Sequence, residues 1–108
     1  MGKKFRVAWT SVSKSDLRRI MEYISLDNPT RAMEVYQKIR VEAEGLQQFP
    51  SRGRIVPELR FNGVLLYREL IVASWRIIYR IDGLNVWVLA VIDSRRDVPN
   101  LLLERFIG

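Results

Sequence analysis

The sequence predicts an α+β fold: an N-terminal strand, an antiparallel two-helix hairpin packed on a mainly antiparallel four-stranded sheet, and a short helical or extended C-terminal tail. Three observations predict it. From Tyr67 to Asp97, three apolar runs rich in Val, Ile, Trp and Tyr follow one another, and such residues suit a pleated, packed surface. The breaks between them are two residues each, Ala73-Ser74 and Asp82-Gly83. Asp-Gly between apolar runs signals a hairpin, because a type I′ turn needs positive φ at both central positions. Upstream, two stretches repeat apolar residues at helical spacing and are parted only by Asp27-Asn28-Pro29.

Taken in order, Phe5-Arg6-Val7-Ala8-Trp9 alternates and reads as a short strand that joins one of the later three. Thr10 or Ser11 can cap the first helix, and Ser13-Lys14-Ser15-Asp16 also fits a capping box, so its start is open by a turn. Leu17, Ile20, Met21 and Ile24 form its apolar face, with Arg18, Arg19 and Glu22 on the others. Asn28-Pro29 is a start signal, a capping residue before proline at the first helical position. The second helix presents Ala32, Val35, Tyr36, Ile39, Ala43 and Leu46, and extends to about Gln48, roughly 30 Å. Phe49-Pro50 stops it.

Between Ser51 and Gly63 the periodicity fails, and Gly53, Pro57 and Asn62-Gly63 read as loop punctuation among Arg52, Arg54 and Arg60. An irregular connection is expected there, a candidate for partner contact. In the strand from Trp75, residues Trp75, Ile77, Tyr79 and Ile81 are expected to face the helices, and Arg76, Ile78 and Arg80 the other side. Arg76 and Arg80 then stand about 13 Å apart, near enough to converge on one polyanion. The last strand places Val86, Val88, Ala90 and Ile92 on one face and Trp87, Leu89 and Val91 on the other. Apolar on both faces, it needs a second cover: the tail, a second subunit or a partner. The tail itself, with Leu101, Leu102, Leu103, Phe106 and Ile107, is too apolar to hang free.

At 108 residues the chain is expected to form one domain over residues 1–108. Without cysteine there is no disulfide framework or thiolate metal site. Without histidine, the commonest general base and metal ligand are gone too, and neither a metal nor a cofactor is expected. No apolar run reaches the ~18 residues of a membrane span, and no signal-type apolar region opens the chain, so the expected place is the cytoplasm with no membrane partner. A net charge of +6 and a pI near 10.2 call for an acidic partner, nucleic acid or protein. Residues 1–50 and 51–108 each hold nine basic and six acidic side chains, but in the second half every basic residue is Arg. Arg offers a planar fork for phosphate or carboxylate, where Lys is a point charge.

Several phrases in this order carry a resemblance: Trp9-Thr10, Asp16-Leu17, Tyr23-Ile24, Asn28-Pro29, Phe49-Pro50 with Gly53-Arg54, Arg68-Glu69-Leu70, Trp75-Arg76-Ile77-Ile78-Tyr79 and Ser94-Arg95-Arg96-Asp97. Each is weak alone, but together they span almost the whole chain, which resembles the RelE/ParE toxin superfamily. The resemblance implies the toxin of a type II toxin–antitoxin, or plasmid stabilisation, system. It also implies growth inhibition, and neutralisation by a cognate antitoxin whose disordered tail folds around the toxin.

RelE-like members of the superfamily cut messenger RNA on the ribosome without a metal, whereas ParE-like members lack that chemistry and poison DNA gyrase. Cleavage by 2′-hydroxyl attack needs a base, cations for the phosphorane and an acid for the leaving oxygen. Arg76 and Arg96 match the RelE-like cations. The slot of the proton-transfer group falls near Leu102, and nothing after Trp87 is Tyr, His or Lys. Tyr67, Glu69 or Tyr79 could substitute, but Glu69 more simply pairs with an Arg and Tyr79 lies on the core face. The ParE-like branch is therefore the closer fit, with a ribosome-dependent endoribonuclease using Arg76 and Arg96 as the alternative. The residues expected to meet partners are Arg54, Arg68, Arg76, Arg80, Arg95, Arg96, Leu102 and Phe106, and a homodimer stays open.

Overall fold

The computed structural model describes residues 4–96 and 98–107. The chain forms β1 (Arg6–Trp9), α1 (Ser11–Ser25), α2 (Pro29–Glu44), β2 (Arg54–Ile55), α3 (Pro57–Phe61), β3 (Tyr67–Val72), β4 (Trp75–Asp82), β5 (Asn85–Asp93) and α4 (Val98–Phe106). Thr10 is the cap of α1, its Oγ1 accepting the Ser13 N–H at 3.2 Å. Ser13 and Asp16 are therefore buried helix residues and not its start. Asn28 caps α2 as expected, Oδ1 accepting the Arg31 N–H at 3.0 Å ahead of Pro29. The last turn of that helix tightens into a 3-10 segment, Gly45–Gln47, which still buries Leu46.

The sheet has five strands in the order β1-β5-β4-β3-β2. The meander is antiparallel as expected, and the N-terminal strand joins it alongside β5 in parallel, Val7 opposite Val86 and Trp9 opposite Val88. The fifth strand, β2, lies in the stretch expected to be irregular. Pro57 there begins α3, where its missing N–H costs nothing, and Val56 and Leu59 are fully buried. Burial of these two side chains has given the segment structure that its punctuation concealed.

Two further differences are local. Asp82 pairs with Asn85, so the tight turn is Gly83-Leu84, one residue later than expected. Gly83 has φ +60 and Leu84 is not in the positive region, the type II′ pattern rather than type I′. In β5, Tyr79 pairs with Val88 and Ile78 with Ala90, which leaves Leu89 as the extra residue of a β-bulge. The bulge switches faces. Val86, Val88 and Val91 pack with the helical hairpin, while Ala90 and Ile92 join the opposite side, correcting the strict alternation expected for this strand.

Two cores result. One lies between the sheet and α1–α2, built on Leu17, Val35, Ile39, Leu46, Trp75, Ile77 and Tyr79. The other lies on the far face, where Val56, Leu59, Ile78, Ala90 and Ile92 meet Val98 and Leu102 of α4. The second cover of β5 is thus α3 with the chain's own tail. One polar contact ties that tail across the molecule. Asp16, 6% exposed, accepts the Val91 N–H at 3.0 Å and both Arg105 Nη groups at 2.8 and 3.0 Å.

Candidate functional site

Arg76 leaves β4 on the far face and is buried, 6% exposed. Its Nε donates to Glu69 at 2.6 Å, and Nη1 and Nη2 donate to the two oxygens of Glu58, both at 2.7 Å. The other oxygen of Glu69 accepts from Arg54 Nε at 2.7 Å. Two carboxylates and two guanidiniums balance, which is how buried charges persist in a core. The bonds from Arg76 hold the Glu58 carboxyl below the usual carboxylate range against the opposing pull of burial. Glu58, followed by Glu69, raises the pKa of Arg76. Arg76 and Arg80 do not converge on one anion, because the Arg76 fork is committed inside the protein.

The neighbouring expected residues are also placed. Arg68 Nη1 donates to the Gly53 carbonyl at 2.8 Å and so braces the turn before β2. The Tyr79 hydroxyl donates to the Pro50 carbonyl at 2.6 Å and accepts the Gly53 N–H at 3.0 Å. Burial raises its pKa. Arg80 stands between Tyr67 and Trp87 in register, its Nε buried without a hydrogen-bond partner among the described residues. Phe106 packs on Tyr67 with ring centroids 4.8 Å apart, and Leu102 is fully buried in the second core rather than on a surface.

Arg95 and Arg96 lie elsewhere, in the turn after β5. That turn is pinned by Ser94, whose N–H and hydroxyl both donate to the Ser74 carbonyl at 2.7 Å. Arg95 folds back on Asp93, with Nε and Nη2 at 3.0 and 2.9 Å from its two oxygens. The pair lowers the pKa of Asp93 and raises that of the exposed Arg95. Asp97, the last residue of the motif, lies outside the described residues.

Here the structure assembles a groove of about 700 Å³. Arg19, Ile20, Tyr23 and Ile24 of α1 form one wall, Arg31 of α2 joins them, and Ser74, Trp75, Asp93, Arg95 and Arg96 complete the lining. Arg19 and Tyr23 share a face because they are four residues apart on a helix. Arg31 sits in the first turn of α2, which has no acidic residue, so the positive end of the helix adds to its field. Among the described residues the groove has four guanidiniums against one carboxylate, already paired. The sequence pointed to Arg95 and Arg96 but not to Arg19, Tyr23 or Arg31. No local pattern separates those three from any solvated helix face.

A helical hairpin on one face of a mixed five-stranded sheet, with a terminal helix on the other, is consistent with the fold of the RelE/ParE toxins of type II toxin–antitoxin systems. The chain belongs to the ParE toxin family: the model of the ParE toxin of the type II toxin–antitoxin system parDE matches residues 7–98. It is 31% identical to Toxin RelE2 of Caulobacter vibrioides over 81 residues, 73% of this chain and 84% of the relative. Its fold is similar to the chromosomal ParDE toxin–antitoxin system from P. aeruginosa, with TM-score 0.70 and 23% identity over 83% of this chain and 96% of that one. It is also similar to the RelBE2 toxin–antitoxin complex from Mycobacterium tuberculosis, with TM-score 0.60 and 19% identity over 86% of this chain and 94% of that one.

Proposed function

We propose that this toxin is a ParE-like growth inhibitor that acts on DNA gyrase without cleaving RNA, and that a cognate antitoxin neutralises it. One observation carries the choice: Arg76, one of the two cations a nuclease would need, is already committed inside the protein, bonding Glu58 of α3 and Glu69, while Arg96 sits in the turn after β5 and lines the groove beside α1 and α2. A charge-stabilising donor must reach within about 3 Å of the developing charge, and the Arg76 fork is occupied by carboxylates. The proton-transfer side argues likewise. Glu69 is bound by two arginines, the Tyr79 hydroxyl by Pro50 and Gly53, and Leu102 is core.

The antitoxin part of the reading draws on the two similar structures, a ParDE toxin–antitoxin system and a RelBE2 toxin–antitoxin complex. One finding favours the alternative, a messenger RNA endoribonuclease acting on the ribosome: the similar Caulobacter protein bears the name RelE2. Inducing the toxin without antitoxin decides between them. The expected outcome is loss of supercoiling by purified gyrase and intact transcripts on translating ribosomes. Specific ribosome-dependent cleavage with unimpaired gyrase would establish the alternative.

A further inference from the structure

The helical hairpin carries a second cleft, of about 440 Å³, which shares no lining residue with the groove after β5. Trp9 of β1, Lys14, Arg18 and Met21 of α1, and Tyr36 and Arg40 of α2 line it. Lys14 and Arg18 are one helical turn apart and so share a face of α1. Both are exposed, and their side chains have neither a hydrogen bond nor an ion pair among the described residues. Arg40 stands on the facing helix with its guanidinium 5.2 Å from the Trp9 ring centre, a stacking contact that holds its plane. Its one carboxylate, Glu44, is 3.9 Å away with both side chains well exposed, and such a pair is weak. No carboxylate lines the cleft among the described residues. The buried indole N–H of Trp9 also has no hydrogen-bond partner there.

We propose that this cleft binds a nucleoside polyphosphate, with its phosphates on Lys14, Arg18 and Arg40 and its base against Tyr36 and Met21. The site depends neither on the choice of target nor on the antitoxin. Its volume of about 440 Å³ lies in the usual range of small-ligand sites. Three cations with no carboxylate among them suit a ligand with several negative charges. Like charges one turn apart on a helix also repel, a cost that a bound anion removes. A bare anion would leave the ring of Tyr36 and the thioether of Met21 unused. Tyr36 is 37% exposed, and an aromatic face takes any base by stacking. The Arg40 fork suits two phosphate oxygens at once, while Lys14 acts as a point charge. A nucleic acid strand fits less well, because it needs a succession of rings along a basic track, and Tyr36 is the one exposed ring in this lining.

The test titrates the full chain with ATP by calorimetry at low salt. Wild type is compared with Lys14→Glu/Arg18→Glu, and with Arg6→Glu/Arg60→Glu, which reverses two exposed cations outside the lining. Thermal melts check that the variants fold. The cleft variant is expected to bind ATP at least ~30-fold more weakly. The control should stay within about threefold of wild type, since distant charges are screened. Tyr36→Ala should weaken ATP at least ~5-fold and leave inorganic tripolyphosphate unchanged, because only ATP has a base to stack. No binding of ATP to wild type, or equal losses in both charge variants, overturns the proposal. Equal effects of Tyr36→Ala on ATP and tripolyphosphate overturn it too, and mark a surface for bare anions. A last arm titrates an oligo(dT) strand of about 20 nucleotides. If that strand binds through Lys14 and Arg18 while ATP does not, the cleft belongs to nucleic acid and the proposal fails.

Discussion

Three of the N–H groups of Arg76 are committed to two carboxylates, and one of these, Glu69, has no exposed side-chain surface. Arg76→Ala would leave Glu69 buried with only Arg54 for company. It should cost about 3–5 kcal/mol in urea unfolding, the usual consequence of stripping a buried ion pair of one partner. Loss of toxicity in that variant would therefore report folding, and is not evidence for catalysis. The cluster also sets an acid limit. The pKa of Glu58 is lowered in the folded state, so its contribution is present above its ordinary value of 4.5 and lost as pH falls through the folded one. Wild type should weaken below about pH 4.5, and Arg76→Met should flatten that dependence. Tyr79 has the opposite sign. Its pKa is raised, so stability falls once the unfolded phenol ionises above pH 10, and Tyr79→Phe should remove that alkaline loss. The same substitution leaves the Pro50 carbonyl and Gly53 N–H without their partner, which costs about 1–3 kcal/mol at neutral pH.

At the level of elements, α4 holds the second core together. Val98 and Leu102 fill it, and Arg105 reaches Asp16 on α1, which also holds the Val91 N–H just past the bulge. Asp16→Ala should free that N–H and loosen the helix, at about 1.5–3 kcal/mol for a lost charge-assisted bond. Hydrogen exchange should show faster amides at Val91 and along Val98–Phe106 with little change in α2; uniform acceleration would mean that the helix is not a separate unit. Deleting the tail is a poor test of toxicity, because it uncovers Ile78, Ala90 and Ile92. Turn chemistry matters as well. A Cβ at Gly53 would lie 2.5 Å from Tyr79 Oη and 2.6 Å from the Glu69 carbonyl oxygen. Gly53→Ala should cost about 1–3 kcal/mol through overpacking, read as a lowered Tm.

For the whole molecule, Arg76 is neutralised in the interior, while most of the other basic residues behind the charge of +6 are exposed. Binding of the antitoxin should raise Tm with antitoxin concentration, by about 2.7 kcal/mol of stability at 100 Kd. The gain should shrink as salt rises from ~0.05 to ~0.5 M, because exposed charges are screened. A salt-independent gain would show that apolar contact alone holds the complex.

Periodicity and punctuation by themselves determined the helical hairpin, its Asn28 cap, the meander, the strand residues that face the hairpin on β4, and the need for a cover over β5. These follow from rules that act within a few residues: helical spacing, strand alternation and turn chemistry. Tertiary structure alone decided the parallel partner of β1, the two short elements within 51–63, the bulge at Leu89 and the fate of each arginine. In sequence, Arg76 and Arg96 look alike, since a guanidinium carries the same charge wherever it stands. Whether it is a core ion pair or an open binding group depends on which carboxylates fold against it. Glu58 and Glu69 lie 18 and 7 residues from Arg76, a separation that only the packed sheet and α3 close.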